Sequence, residues 1–265
     1  MTRLKFLLPA LFATLIPPAC HAGEAAFASP AVKGTLSSAR LLSAGPPQAG
    51  VYRAGVEIDL DPKIITYWRQ PGESGSAPVF DFSRSANVAK AEPAFPAPKH
   101  IDEAGTIVAG YDSRVIFPLK VTPRDPNAPV TLNLTLDYAA CGKICLPGRA
   151  DLSLELPREG VSPHAAEIAE AERLVPKKLT AAEAKKRLQL KRAEGDAAWR
   201  LAYLGRGKAQ DLFPEAPEPL FLDSKKAGDE FELTLFATGK KPKSTEATLT
   251  IVTDREAFEA PARLE

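Results

Sequence analysis

The sequence is poor in several things that would announce a function. Acidic and basic residues nearly balance, 33 against 34, for a formal net charge of +1. No basic field therefore invites nucleic acid or an anionic membrane as partner. Histidine and cysteine occur three times each. A structural zinc site wants four ligands, usually in two close pairs, and His100 and His164 stand alone, as surface or packing histidines do. After residue 22 no apolar run approaches the roughly 20 residues that a membrane-spanning helix needs. No internal repeat or low-complexity tract stands out. What is plentiful is proline, 25 residues, which argues against a largely helical chain and for many strand ends and turns.

The amino terminus, "MTRLKFLLPALFATLIPPACHA", has the form of a secretory signal. Arg3 and Lys5 supply the positive start, Leu7 to Ile16 the apolar run, and Cys20-His21-Ala22 a small-residue site for cutting after Ala22. Its removal takes two basic residues and no acidic one, so the formal charge of +1 becomes −1. It also leaves two cysteines, Cys141 and Cys145. An even pair in an exported chain fits an oxidising compartment.

Residues 23–34 read as a loose arm. From there to residue 157 short strands alternate with proline and glycine. Val56, Ile58 and Leu60 share one face, as do Val130, Leu132, Leu134 and Leu136, and again Leu152, Leu154 and Leu156. About seven such strands predict an antiparallel sandwich over residues 23–157. Residues 158–265 change texture. "SPHAAEIAEAERLV" predicts a helix opened by a serine cap and a proline. "LTAAEAKKRLQLKRAEGD" predicts a second helix, with Thr180 and Glu183 as a capping box. Strands resume after Trp199, so the expected architecture is mainly β: a sandwich, a helical connector and a smaller β-rich unit. Lys225 to Glu230 read as an exposed turn.

The stretch "LDYAACGKICLPG" carries the chemistry. In a continuous strand the two cysteine Cα atoms would lie about 13 Å apart at about 3.3 Å per residue, whereas a disulfide needs less than about 7 Å. A bond therefore requires a chain reversal. Gly142-Lys143-Ile144 can form it as a hairpin loop, with glycine free to take an unusual backbone angle. A helical turn would also bring the cysteines near, against the β pattern and Pro147. Three uses follow. As a staple the pair closes a very short loop, worth roughly 2 kcal/mol in the chain-entropy account. As a redox pair it can open and close without unfolding its hairpin, and Lys143 would favour a thiolate nearby. As a metal clip two thiolates suit a soft ion such as Cu(I). Spacing alone leaves all three open.

Three ordered stretches bear on the choice: "YWRQPGESGSAPVFDF", "FPAPKHIDEAGTIVAGYDSRVIFPLKV" and "LDYAACGKICLPGRADLSLELP". Together they resemble the amino-terminal periplasmic domain of the DsbD protein-disulfide reductases and the equivalent domain of the related copper-tolerance protein ScsB, over about residues 35–157. The resemblance implies an immunoglobulin-like sandwich whose hairpin cysteines, here Cys141 and Cys145, cycle between dithiol and disulfide, with no diffusible cofactor. It implies thioredoxin-fold partners in the periplasm, including those of cytochrome maturation, and the later cysteine as the usual attacker of a partner's disulfide. It also implies a shielding loop, here "HIDEAGTIVAGYD" with Asp102 and Glu103, and aromatics near the site, here Tyr67 and Trp68. For these four, loop charge or sandwich core is the plainer reading. The best-known member has a longer spacer than this CxxxC. No multi-helix membrane domain or thioredoxin-like CxxC follows in this sequence, so the resemblance calls for a separate integral-membrane electron donor. The alternative is a non-catalytic module that binds a partner or Cu(I), with a structural disulfide.

Overall fold

The computed structural model describes residues 26–72, 74–194, 198–237, 239, 242 and 244–265. The expected signal segment lies outside the described residues. Among them, no helix is long and apolar enough to cross a membrane.

The first part of the chain is built almost wholly of strands. One sheet has the order β1-β2-β3-β9-β6, from Val32–Lys33, Ser37–Ser43, Tyr52–Leu60, Val115–Pro123 and Val88–Pro93. Facing it is β11-β10-β5, from Cys145–Glu155, Thr131–Cys141 and Val79–Asp81. Alternation along the strands sends every second side chain inward. Leu41, Val56, Ile58, Phe117 and Leu119 from one sheet meet Leu132, Leu134, Leu136, Leu152 and Leu154 from the other in one core. The faces expected from the sequence are the buried ones, with Leu60 only partly covered. A third, small sheet, β4-β8-β7, joins Thr66–Tyr67, Thr106–Tyr111 and Lys99–Glu103.

One local expectation fails here. The arm before residue 35 is not loose: Phe27 and Ala28 are buried, and Ala28 bridges to Leu42. The proline-rich run from residue 91 to Gly105 contains the second half of β6 and all of β7. Their prolines sit at strand ends or between the strands, where a missing N–H costs no ladder bond.

Helix α1, Ala165–Leu174, packs Ile168 and Ala171 against Leu42 and Ile116 on the outside of the first sheet. Its N-cap is His164, not Ser162. The Ser162 hydroxyl instead donates to the Ser43 carbonyl at 2.5 Å and accepts from the His164 amide at 3.0 Å. Helix α2, Ala181–Arg187, has the expected capping box of Thr180 and Glu183 but stops sooner than expected. Leu188 and Leu190 alternate into strand β13, Leu188–Arg192, which pairs with β14, Ala198–Tyr203.

The remaining strands form two four-stranded sheets. One runs β12-β19-β18-β15, from Lys177–Lys178, Ala257–Leu264, Thr245–Thr253 and Ala209–Glu215. The other runs β13-β14-β17-β16, with Glu230–Ala237 and Leu220–Ala227. Trp199, Phe231, Leu233, Leu249, Ile251 and Phe258 form a second core between them. Lys225 to Glu230 straddle an exposed hairpin turn at Gly228. The two units are not independent, because Phe213 of β15 inserts into the core of the first.

Candidate functional site

Strands β10 and β11 pair in unbroken register from Thr131↔Glu155 to Cys141↔Cys145. Gly142-Lys143-Ile144 close the hairpin, with the Gly142 amide donating to the Ile144 carbonyl at 3.1 Å. The cysteines are disulfide-bonded with Cα atoms 4.0 Å apart. Gly142 takes no left-handed angle; a Cβ there would lie 2.7 Å from Ile64 Cδ1, the movable end of that side chain.

The two sulfurs differ in surroundings. Cys141 is wholly buried, in a small cluster with Ile65, Tyr67 and Val108, while Cys145 is exposed. Cys141 is held on its other edge by Ile65, through reciprocal backbone bonds of 2.8 and 2.9 Å. That bridge starts strand β4 beside the site and directs Tyr67 at the sulfurs. The Tyr67 hydroxyl lies 3.0 Å from Cys141 Sγ and 3.4 Å from Cys145 Sγ. It also lies 2.8 Å from Glu103 Oε1. The hydroxyl has one hydrogen, and a carboxylate is the stronger acceptor, so in the disulfide state it donates to Glu103. Burial, then the bond to Glu103 and its negative charge, push the Tyr67 phenol well above its ordinary range. Glu103 Oε1 stands 3.3 Å from Cys145 Sγ; a disulfide sulfur carries no hydrogen, so this is a contact only.

Glu103 reaches the site because β7 and β8 form a hairpin over it, not an irregular loop. Ala104 and Gly105 turn the chain with φ of 53° and 94°, as a mirror-image two-residue turn requires. Asp102 is exposed and accepts the Gly105 amide at 2.7 Å, so it holds the turn rather than the sulfurs. Gly110 lets β8 close on β4; a Cβ there would lie 2.3 Å from the Thr66 carbonyl oxygen.

The other expected residues lie elsewhere. Trp68 faces away from Tyr67, fully buried, with its ring 5.8 Å from that of Phe213 and the Arg69 guanidinium 4.3 Å from its centre. Lys143 is exposed at the hairpin tip, with no ion pair among the described residues. Two contributors carried no sequence signal of their role. Ile65 acts through its backbone. Gly75, at φ 98°, brings its own segment onto Tyr67, where a Cβ would lie 2.5 Å from the ring. Once reduced, Cys141, Cys145 and Glu103 would offer three ligand atoms within 4.8 Å of one another.

A disulfide on a sandwich hairpin, one sulfur exposed and a phenol and carboxylate at its flank, defines a thiol–disulfide interchange domain. Residues 37–157 match the family described as thiol:disulfide interchange protein DsbD, N-terminal. The sandwich is accordingly immunoglobulin-like. The fold is similar to the crystal structure of the N-terminal periplasmic domain of ScsB from Proteus mirabilis, with a TM-score of 0.66 at 19% sequence identity. That similarity covers 89% of this chain and 98% of the other, so it takes in the second β unit. No match is found among curated proteins.

Proposed function

We propose that the protein is a periplasmic thiol–disulfide interchange protein that passes two electrons between thioredoxin-fold partners and a separate integral-membrane donor through Cys141 and Cys145. The observation that carries this reading is the unequal exposure of the two sulfurs beside Tyr67 and Glu103. In the reducing direction, the exposed Cys145 thiolate attacks a partner's disulfide, forms a mixed disulfide and releases one partner thiolate. Cys141 then loses its proton and attacks Cys145 Sγ, releasing the second partner thiolate. The partner gains two electrons and this chain is left as the disulfide. Tyr67 can donate to a Cys141 thiolate, and no further cofactor enters either step. The periplasmic assignment draws on the disulfide and on the stated compartment of the ScsB domain.

Single-cysteine variants test the reading. With Cys141→Ala, the exposed Cys145 should trap mixed disulfides with thioredoxin-fold proteins; with Cys145→Ala, the buried Cys141 should trap few. Equal trapping by both, or by neither, would count against it. A second reading, a soft ion held by the two thiolates, draws on the two sulfurs standing side by side at the site. Titrating the reduced protein with Cu(I) decides it, since binding indifferent to loss of either thiol would remove it.

A further inference from the structure

Among the described residues the second β unit contributes no atom to the disulfide site, yet one of its strands grips both segments that carry the site's side chains. On β15, side chains at alternate positions share a face, and Asp211, Phe213 and Glu215 all turn toward the first unit. Leu212, between them, turns into the second unit's own core. The bulge between Ala209 and Asp211 sets this aim.

Each of the three side chains meets a residue close in sequence to the sulfur-contacting pair. Asp211 Oδ1 lies 2.7 Å from His100 Nδ1, on β7, the strand that ends in Glu103. The Phe213 ring stacks on His100 at 4.3 Å and tilts against Trp68 at 5.8 Å. Glu215 accepts two bonds from Arg69, at 2.9 and 2.6 Å, and Glu259 of β19 accepts a third at 2.6 Å. Trp68 and Arg69 directly follow Tyr67. The small sheet that carries Tyr67 and Glu103 therefore has the disulfide hairpin on one side and β15 on the other.

We infer that residues 158–265 act as a positioning element for the redox site, with β15 holding Tyr67 and Glu103 against the sulfurs through Trp68, Arg69 and His100. Asp211, Phe213 and Glu215 are positioning residues in this account. It rests on the interchange reading above. Its content is separate: the distance of a phenol and a carboxylate from the sulfurs, and hence the balance between dithiol and disulfide, is set from the second unit.

The test uses the full chain with Phe213→Ala, the near-isosteric Asp211→Asn, and Arg200→Ala as a control. Arg200 pairs with Glu232 on the far sheet of the second unit. Two quantities are read: amide hydrogen exchange along β7 and β8, and the equilibrium constant of the disulfide with glutathione. Phe213→Ala should speed exchange in β7 and β8 roughly fivefold or more, while β2, β3 and β9 keep their protection. Asp211→Asn should act in the same place, less strongly. Both should move the glutathione equilibrium roughly threefold or more, about 14 mV, and Arg200→Ala should move neither quantity. Normal exchange with glutathione in the wild type, with both variants at the wild-type equilibrium constant, overturns the inference alone. A wild-type disulfide that never exchanges in the folded protein would sink the interchange reading and this inference with it. Should Phe213→Ala fail to fold, Asp211→Asn carries the decision.

Discussion

The hydroxyl of Tyr67 lies 3.0 Å from the sulfur of Cys141, although 74 positions separate the two residues in the chain. The contact depends on the backbone bridge between Ile65 and Cys141, which aligns β4 beside the hairpin. It puts a buried hydrogen-bond donor where negative charge develops when the disulfide opens.

Tyr67→Phe removes that donor and keeps the ring that Gly75 packs against. A hydrogen bond to a charged acceptor contributes about 1.5–3 kcal/mol. The Cys141 thiol should therefore titrate about one pK unit or more higher. The pH dependence of alkylation of the reduced protein reads this directly, alongside a melting curve that should change little. An unshifted profile would mean that the phenol is only packing.

Glu103→Gln should act in the opposite sense. A carboxylate beside the sulfurs disfavours a thiolate by like-charge repulsion. Glu103 is only half-buried, so water screens much of the effect. Neutralising it should lower the thiol pKa by about half a unit, raising the thiolate population at neutral pH roughly threefold. Stopped-flow reaction with a small disulfide would show the gain; a slower reaction would reverse the assigned role.

Acid should loosen α1 before the sandwich. Glu167 is partly buried, which raises its pKa, but bonds from Arg114 and His164 more than offset this and hold it below its ordinary value of 4.5. Arg114 also binds the buried Glu57, so Glu167 ties the helix to the first sheet. A depressed carboxylate contributes stability above its unfolded pKa and loses it as the pH falls through the folded one. Amides of α1 should lose protection below about pH 4, and Glu167→Gln should flatten that loss. Protection that falls equally in both proteins would assign the acid transition to other carboxylates.

Much of this was legible in the residues. Leu132, Leu134 and Leu136 alternate with polar partners, and period-two burial follows from the pleat whatever the topology. Thr180 and Glu183 lie three apart, within reach of each other in a single turn. Cys141 and Cys145 flank a loop that strands on both sides hold in register. Other elements were hidden because their signal is not local. Pro214 and Pro261 interrupt the patterns of β15 and β19, and Leu188 and Leu190 fit a helix as well as a strand until β14 pairs with them. Trp68, adjacent to Tyr67 in sequence, points into the core because neighbours on a strand face opposite ways.

Hydrophobic alternation, cap chemistry and the short cysteine spacing needed only neighbours along the chain, so the β architecture and the disulfide hairpin follow from sequence order. Which sulfur is open to a partner, that Glu103 rather than Asp102 meets it, and that Asp211, Phe213 and Glu215 brace the site were set by three-dimensional packing. Those relationships join segments tens to more than a hundred residues apart, and nothing in the local pattern specifies such a meeting.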